Sequence, residues 1–460
     1  MADRSSVILP ALLLVTAFFV AGPKNSPLKT NDFRDAPNSS ALDALGYGFG
    51  GAPQAGAPAV PAPSAAGTVP GTAMVYPAMP QKEWTILVFL NAKNDLESFG
   101  MGDMNEMERI GSGKKFNVVV QLGRTPGEDA SDGDWSGVRR YYMLQDKDQK
   151  KINSPMLENL GMADMGDYRE LVKFVNWGKQ KYPAEKYLLI VWNHGAGWPG
   201  ISFDGDTGNY ITTPQLAGAL AATGGVDVMA TDACLMQMAE VAYELKDFAK
   251  YIVGSEETIP GKGYGYHKIL RRLKFNSGRD AESMGSMITR TYGQYMIGDK
   301  GATLSSLDAS QLPRLAQLMD GFARAAMASG PEGKKALKTA RDEAYKYAEP
   351  NYKDLSRFVM AAAKHLPDGE LKTLAKQLSR HIKRDLVDTR RRNLFSIDTE
   401  EVTDSETGEV SEKKSLQLLK NKSKGLSAYL PEKAFSWKYS QLKLARDTQW
   451  DEFVQWLQQP

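Results

Sequence analysis

Near-continuous apolar runs at 84–90, 116–122, 187–193 and 226–233 alternate with stretches of helical periodicity at 96–110, 167–180 and 213–222. An unbroken apolar run of this length is the pattern of a strand buried on both faces, and strand alternating with helix predicts a mostly parallel sheet covered by helices on each side. A further short strand is expected at 251–254, and 141–144 reads as an antiparallel excursion. Beyond about residue 275 the chain becomes helix-rich, with helices expected at 280–297, 309–328, 332–347, 354–365, 368–387 and 447–458. Two more strands are expected at 394–397 and 426–430; the polar stretch between them, 399–414, reads as an exposed hairpin or loop with a turn at Thr407-Gly408.

Two of the apolar runs end on chemistry. The third ends at Asn193-His194-Gly195, and the fourth at Asp232-Ala233-Cys234, which holds the single cysteine of the 460 residues. In a parallel sheet the C-terminal strand ends are where ligands bind. A thiol there becomes a nucleophile if a base or a positive field assists it. The plainer reading of a lone cysteine is a small buried hydrophobe. Leu235, Met238, Val241, Leu245 and Phe248 form an apolar helical stripe, so a helix is expected to start at or beside Cys234, where its N-terminus would lower the thiol pKa. The Cys234 N–H could then donate to an oxyanion, with Gly195 as a second donor.

Composition sets the surroundings. Hydrophobic content of 42% and charged content of 24% are those of a globular protein. Lys+Arg 57 against Asp+Glu 55 gives a net charge of +2, so no nucleic-acid partner is implied. One cysteine excludes an intrachain disulfide. Arg4 precedes an apolar run from Val7 to Ala21, too short for a membrane span and suited to a signal h-region, so residues 1–22 read as a signal peptide or an N-terminal anchor. Residues 23–80, rich in Pro, Ala and Gly, read as a linker or pro-segment. A catalytic domain is then expected at 81–275, with 276–460 completing it, in an exported or membrane-tethered protein of undefined oligomeric state.

Residues 84 to about 270 resemble the clostripain family of cysteine peptidases, in the caspase/gingipain/legumain clan. The likeness rests on 189–198, LIVWNHGAGW, on 231–236, TDACLM, and on Val253-Gly254-Ser255-Glu256-Glu257 with Pro260-Gly261. Asn105-Glu106-Met107-Glu108, the segment 303–308, Gly425-Leu426-Ser427 and Thr448-Gln449-Trp450-Asp451 extend it. The resemblance implies a caspase-like fold and an endopeptidase with a His194–Cys234 dyad and an acyl-enzyme, acting on polypeptides after Arg or Lys. It implies that Asp232 helps bind the basic side chain; Asp232 and Cys234 lie two residues apart on one strand face, although taken alone Asp232 would read as a helix N-cap.

Two departures matter. Lys262 follows Pro260-Gly261 where the family often has an acid, which weakens the Arg/Lys preference. No Lys or Arg lies between Gly195 and Ala233, so an enzyme of that preference could not cut itself there. The catalytic domain is therefore expected to work as one chain, with processing nearer Lys24, Lys29, Arg34 or Lys82. The rival readings are a catalytically silent binding module at the cell surface and a peptidase of non-basic specificity. No cofactor is required by the residues. Calcium dependence is known in the family and stays open without assigned ligands: 203–209 resembles part of a calcium loop, but Gly208 and Gln215 fall where ligands belong, so a turn is the first reading. His267 could line the cleft. His365, His381 and the Arg390-Arg391-Arg392 stretch read as solvated helix surface.

Overall fold

The computed structural model describes residues 80–297, 302–392, 395–403, 410–418 and 423–460. The expected leader and, apart from Pro80, the linker lie outside the described residues, as does the turn at 407–408.

The apolar runs become the middle of one sheet. Its strands are β1 (Lys82–Ala92), β2 (Phe116–Arg124), β3 (Gly137–Tyr142), β4 (Met156–Gly161), β5 (Ala184–Trp192), β6 (Val226–Asp232), β7 (Ala249–Gly254), β8 (Thr303–Asp308) and β9 (Val387–Arg392), in the spatial order β9-β8-β7-β6-β5-β1-β2-β3-β4. The central strands β7-β6-β5-β1-β2 are parallel, and β8, β9, β3 and β4 pair antiparallel at the two edges.

Alternation along the strands divides the core into two layers. Leu87, Phe89, Leu189, Val191 and Met229 face one side, packed on α2 (Tyr168–Lys181), α3 (Thr213–Ala222) and α4 (Ala239–Leu245). Ile86, Val88, Leu90, Leu188, Ile190 and Val228 face the other, packed on α1 (Glu97–Glu108), α5 (Tyr266–Phe275) and α6 (Ala281–Tyr295). Each such side chain contributes about 1.5–3 kcal/mol on leaving water, so a one-residue slip of any central strand is heavily penalised. Local signals start the helices: Asp167 caps α2, and Thr212 with Gln215 forms a capping box on α3.

The C-terminal helices, α7 (Leu312–Met327), α8 (Gly330–Glu343), α9 (Leu355–His365), α10 (Glu370–His381), α11 (Lys443–Asp447) and α12 (Trp450–Gln458), extend the first layer. Phe322 is central to them, 5.7 Å from Phe453 and 5.9 Å from Phe358. A short ladder of Tyr352–Asp354 with Ser427–Tyr429 leads back to the sheet's functional edge.

One expectation is corrected. The stretch around Arg390 is strand β9, not a helix surface: α10 ends in a π-turn at Ile382–Leu386, and the following residues pair antiparallel with β8. Charged residues are tolerated on an edge strand, which is why three arginines hid it. Of the two readings of 399–414, hairpin or loop, the hairpin forms: Phe395–Thr403 pairs with Val410–Leu418.

Candidate active site

Register assembles the site. β5 and β6 are adjacent and parallel, with Trp192 opposite Asp232. His194 and Cys234 each lie two residues beyond that pair, so the two strands deliver imidazole and thiol at one level of the C-terminal edge. Asn193 ties the strand end down: its N–H reaches the Asp232 carbonyl at 3.3 Å, its Nδ2 donates to the Asn91 carbonyl at 2.5 Å, and its Oδ1 accepts from Phe203 N–H at 2.7 Å. Gly195 lies against the cysteine loop so closely that a Cβ would stand 2.3 Å from the Cys234 carbonyl oxygen.

The cysteine loop is held by the segment that follows β7. Leu235 N–H donates to Glu257 C=O at 3.1 Å, and Gln237 N–H to Ser255 C=O at 2.9 Å. Ile259 N–H donates to Cys234 Sγ at 3.3 Å. Leu235 takes a left-handed φ of 65°, a conformation rare outside glycine that turns the chain sharply after the nucleophile candidate. Here a further expectation fails. The helix begins only at Ala239, because the intervening N–H groups bond to 255–257 instead of starting a helix. No helix N-terminus lowers the thiol pKa. Burial pushes it up to about 11; the Ile259 N–H works against this, and the Glu257 and Asp232 carboxylates add to it. The free protein therefore carries a neutral thiol at pH 7. The N–H groups of Gly195 and Cys234 meet no oxygen acceptor among the described residues.

Asp95 was not foreseen. It follows β1, the strand beside β5, and its Oδ1 lies 2.8 Å from His194 Nε2. This hydrogen bond holds the carboxyl below its ordinary range against partial burial. An ionised Asp95 can only accept, so Nε2 carries the hydrogen and Nδ1 is left as the basic nitrogen. The signal was a carboxylate just past the C-terminal end of a central strand.

Two buried carboxyls stand at the Trp192–Asp232 pair. Asp232 Oδ2 accepts from Tyr264 N–H at 3.1 Å and from Tyr266 Oη at 3.0 Å. Asp103 on α1 accepts from Trp192 Nε1 at 2.8 Å. A Cβ at Gly263 would stand 2.8 Å from Asp232 Oδ2 and 3.0 Å from Asp103 Oδ2, so the two oxygens face one another across that glycine. Burial raises both pKa values, Asp232 to about 7, and the Asp232 charge raises Asp103 further. Neither forms an ion pair among the described residues. One turn along α1 from Asp103, Glu106 Oε1 lies 3.0 Å from His267 Nδ1 and accepts from Tyr295 Oη at 3.1 Å. Lys262 is exposed, with its ammonium 5.0 Å from the Tyr295 ring centre. Asp103 escaped notice as one acid among several on α1, buried between Met101 and Met104.

The other histidines hold structure: His381 is buried between Asp385 and the Gln311 carbonyl, and His365 lies 2.9 Å from Glu343. The loop at 203–209 closes around a protein cation. Lys93 Nζ lies 2.9 Å from Asp204 and 3.2 Å from Asp206. With that ammonium between the carboxylates, the loop does not fit a calcium ion as well. Among the described residues no group of three or more His, Cys, Asp or Glu side chains is arranged to hold a metal.

A mostly parallel sheet offering thiol and imidazole on neighbouring strand ends is the caspase-like class of α/β fold. The chain belongs to the clostripain family, peptidase family C11, whose profile matches residues 88–457. It is 29% identical over 228 residues to clostripain of Hathewaya histolytica, a match covering 43% of this chain and 43% of that protein. It thus spans less than half the length of that relative. The fold is similar to an inactive zymogen C11 protease from Parabacteroides distasonis, with TM-score 0.59, 18% identity, and coverage of 81% of this chain and 99% of the other. It is also similar to a secreted C11 cysteine protease from Bacteroides thetaiotaomicron in complex with an irreversible peptide inhibitor, with TM-score 0.58, 21% identity, and coverage of 82% and 99%.

Proposed function

We propose that this protein is a cysteine endopeptidase with Cys234 as nucleophile, His194 as proton carrier and Asp95 orienting the imidazole. The observation that carries the reading is the Trp192–Asp232 register, which puts thiol and imidazole at one level of one sheet edge. Because burial keeps the thiol neutral, sulfur attacks the peptide carbonyl as its proton passes to His194 Nδ1, and the imidazolium then gives that proton to the departing amine as the C–N bond breaks. The Gly195 and Cys234 N–H groups receive the oxyanion. Water then hydrolyses the acyl-enzyme and returns the thiol.

A basic side chain, Arg or Lys, is the residue whose carbonyl is attacked. Asp232 and Asp103 support this: two buried carboxyls without a cation of their own are relieved by one from the substrate. Residues 1–22 serve as leader or anchor and 23–80 as linker, placing the peptidase outside the cytoplasm; the relative from Bacteroides thetaiotaomicron is described as secreted. The catalytic unit works as one chain.

Wild type and Cys234→Ala are each incubated with a peptide library and the cleaved bonds identified. The expected result is cleavage after Arg or Lys by wild type alone. No Cys234-dependent cleavage would leave a silent binding module, and cleavage after other residues would remove the basic-pocket assignment.

A further inference from the structure

Lys93 is a deeply buried ammonium near the C-terminal edge of the sheet, at 1% exposure, and it faces Asp204 at 0%. Its Nζ also donates to the Ala163 carbonyl at 3.1 Å. Asp204 spends its second oxygen on the N–H groups of Asp206 and Thr207, at 3.0 and 3.2 Å. The main chain repeats the connection: Gly205 N–H donates to Lys93 C=O at 2.7 Å, and Asn94 Nδ2 to Phe203 C=O at 2.8 Å. Asp95 is the next residue. The imidazole's own strand end is tied to the same loop, Ser202 N–H to His194 C=O at 3.3 Å and Phe203 N–H to Asn193 Oδ1. Segment 202–206 is therefore the shared frame of both members of the Asp95–His194 pair.

We propose that Lys93 is a tethered cation, standing where a loop of this chemistry would otherwise need a divalent ion, and that it acts as a positioning residue for Asp95 and His194. An ammonium carried on the chain cannot be removed by a chelator. Taking it away leaves two carboxylates and a carbonyl around a vacated centre, hard oxygens of the kind that calcium accepts. The inference rests on the reading of His194 as the proton carrier, so one readout is independent of activity.

The test compares wild type and Lys93→Ala, each in EGTA and in millimolar calcium chloride, by peptidase kinetics and thermal unfolding. Wild type is expected to keep its kcat and its Tm in both buffers. Lys93→Ala is expected to lose at least tenfold in kcat with KM within twofold, and to lose Tm, in EGTA; calcium should recover both. A wild type that falls in EGTA overturns the proposal, as does a Lys93→Ala protein that matches wild type in EGTA or that calcium leaves unchanged. Asp206→Asn keeps the buried Lys93–Asp204 pair and so spares the fold. It should lower kcat at unchanged KM, and a wild-type kcat there counts against the proposal. If calcium restores the Tm of Lys93→Ala but wild type shows no Cys234-dependent activity, the tethered cation stands and the peptidase reading falls.

Discussion

At the scale of single residues, three carboxyls differ by their surroundings. Asp95 is half exposed and ionised, bonded to His194. A charge-assisted hydrogen bond is worth about 1.5–3 kcal/mol, so Asp95→Asn should lower kcat about ten- to a hundredfold with little change in KM. Steady-state kinetics on a basic peptide would check this, and an equal loss in KM would mean that Asp95 binds substrate instead. Asp232 is the opposite case. Its raised folded pKa means that its stabilising contribution is whole below the ordinary carboxyl range near pH 4 and is lost as pH rises through about 7. A cationic side chain prefers the ionised form, so KM for an Arg or Lys peptide should fall as pH rises through 7. Glu106→Gln removes the neighbouring charge that helps to raise Asp232 and should move that fall to lower pH. A pH-independent KM in wild type would contradict the pocket. The placing of His194, Cys234 and Asp232 at neighbouring strand ends was legible from sequence because each lies at the end of a strong apolar run. Asp95 and Asp103 were not, since their roles come from neighbours about 90 to 130 positions away.

At the scale of elements, two loops meet edge to edge. The central strands were readable because burial on both faces leaves no polar punctuation, as in β2, where all nine residues are buried. The edge strands β4 and β9 lacked that signature, since one-sided or charged edges do not need it. The start of α4 was misplaced for a different reason: the apolar stripe from Leu235 is real, but hydrogen bonds to 255–257 decide its geometry. That loop geometry gives a direct test. Gly195→Ala would push a methyl into the Cys234 carbonyl, at 2.3 Å, and must separate the two loops. Displacements near 1 Å at such a site cost about a hundredfold in rate. Activity should fall by that order while circular dichroism stays that of wild type. Retained activity would show that Gly195 does not set the spacing of the pair.

At the scale of the whole molecule, sheet and C-terminal helices form one body around the site. β8 and β9 close an edge of the same sheet. Tyr352 Oη donates to the Ala196 carbonyl at 2.6 Å, and Ser427 N–H to the Gln237 carbonyl at 3.0 Å, so residues more than 100 positions on support both the His194 and the Cys234 loops. No Lys or Arg lies within 195–233, so under the proposed Arg/Lys specificity the chain between imidazole and thiol is expected to stay uncut. In the proposed reading Cys234, served by His194 and a basic pocket, is the nucleophile of a single-chain peptidase. Intact-mass spectrometry after treatment with an irreversible peptide ketone ending in Lys tests it most directly. One adduct per chain is expected, mapped to Cys234, on a polypeptide unbroken across 195–233, formed far more slowly by His194→Ala or when the ketone ends in Asp. Labelling that avoids Cys234, ignores the terminal residue, or falls on two chains split within 195–233 would contradict it.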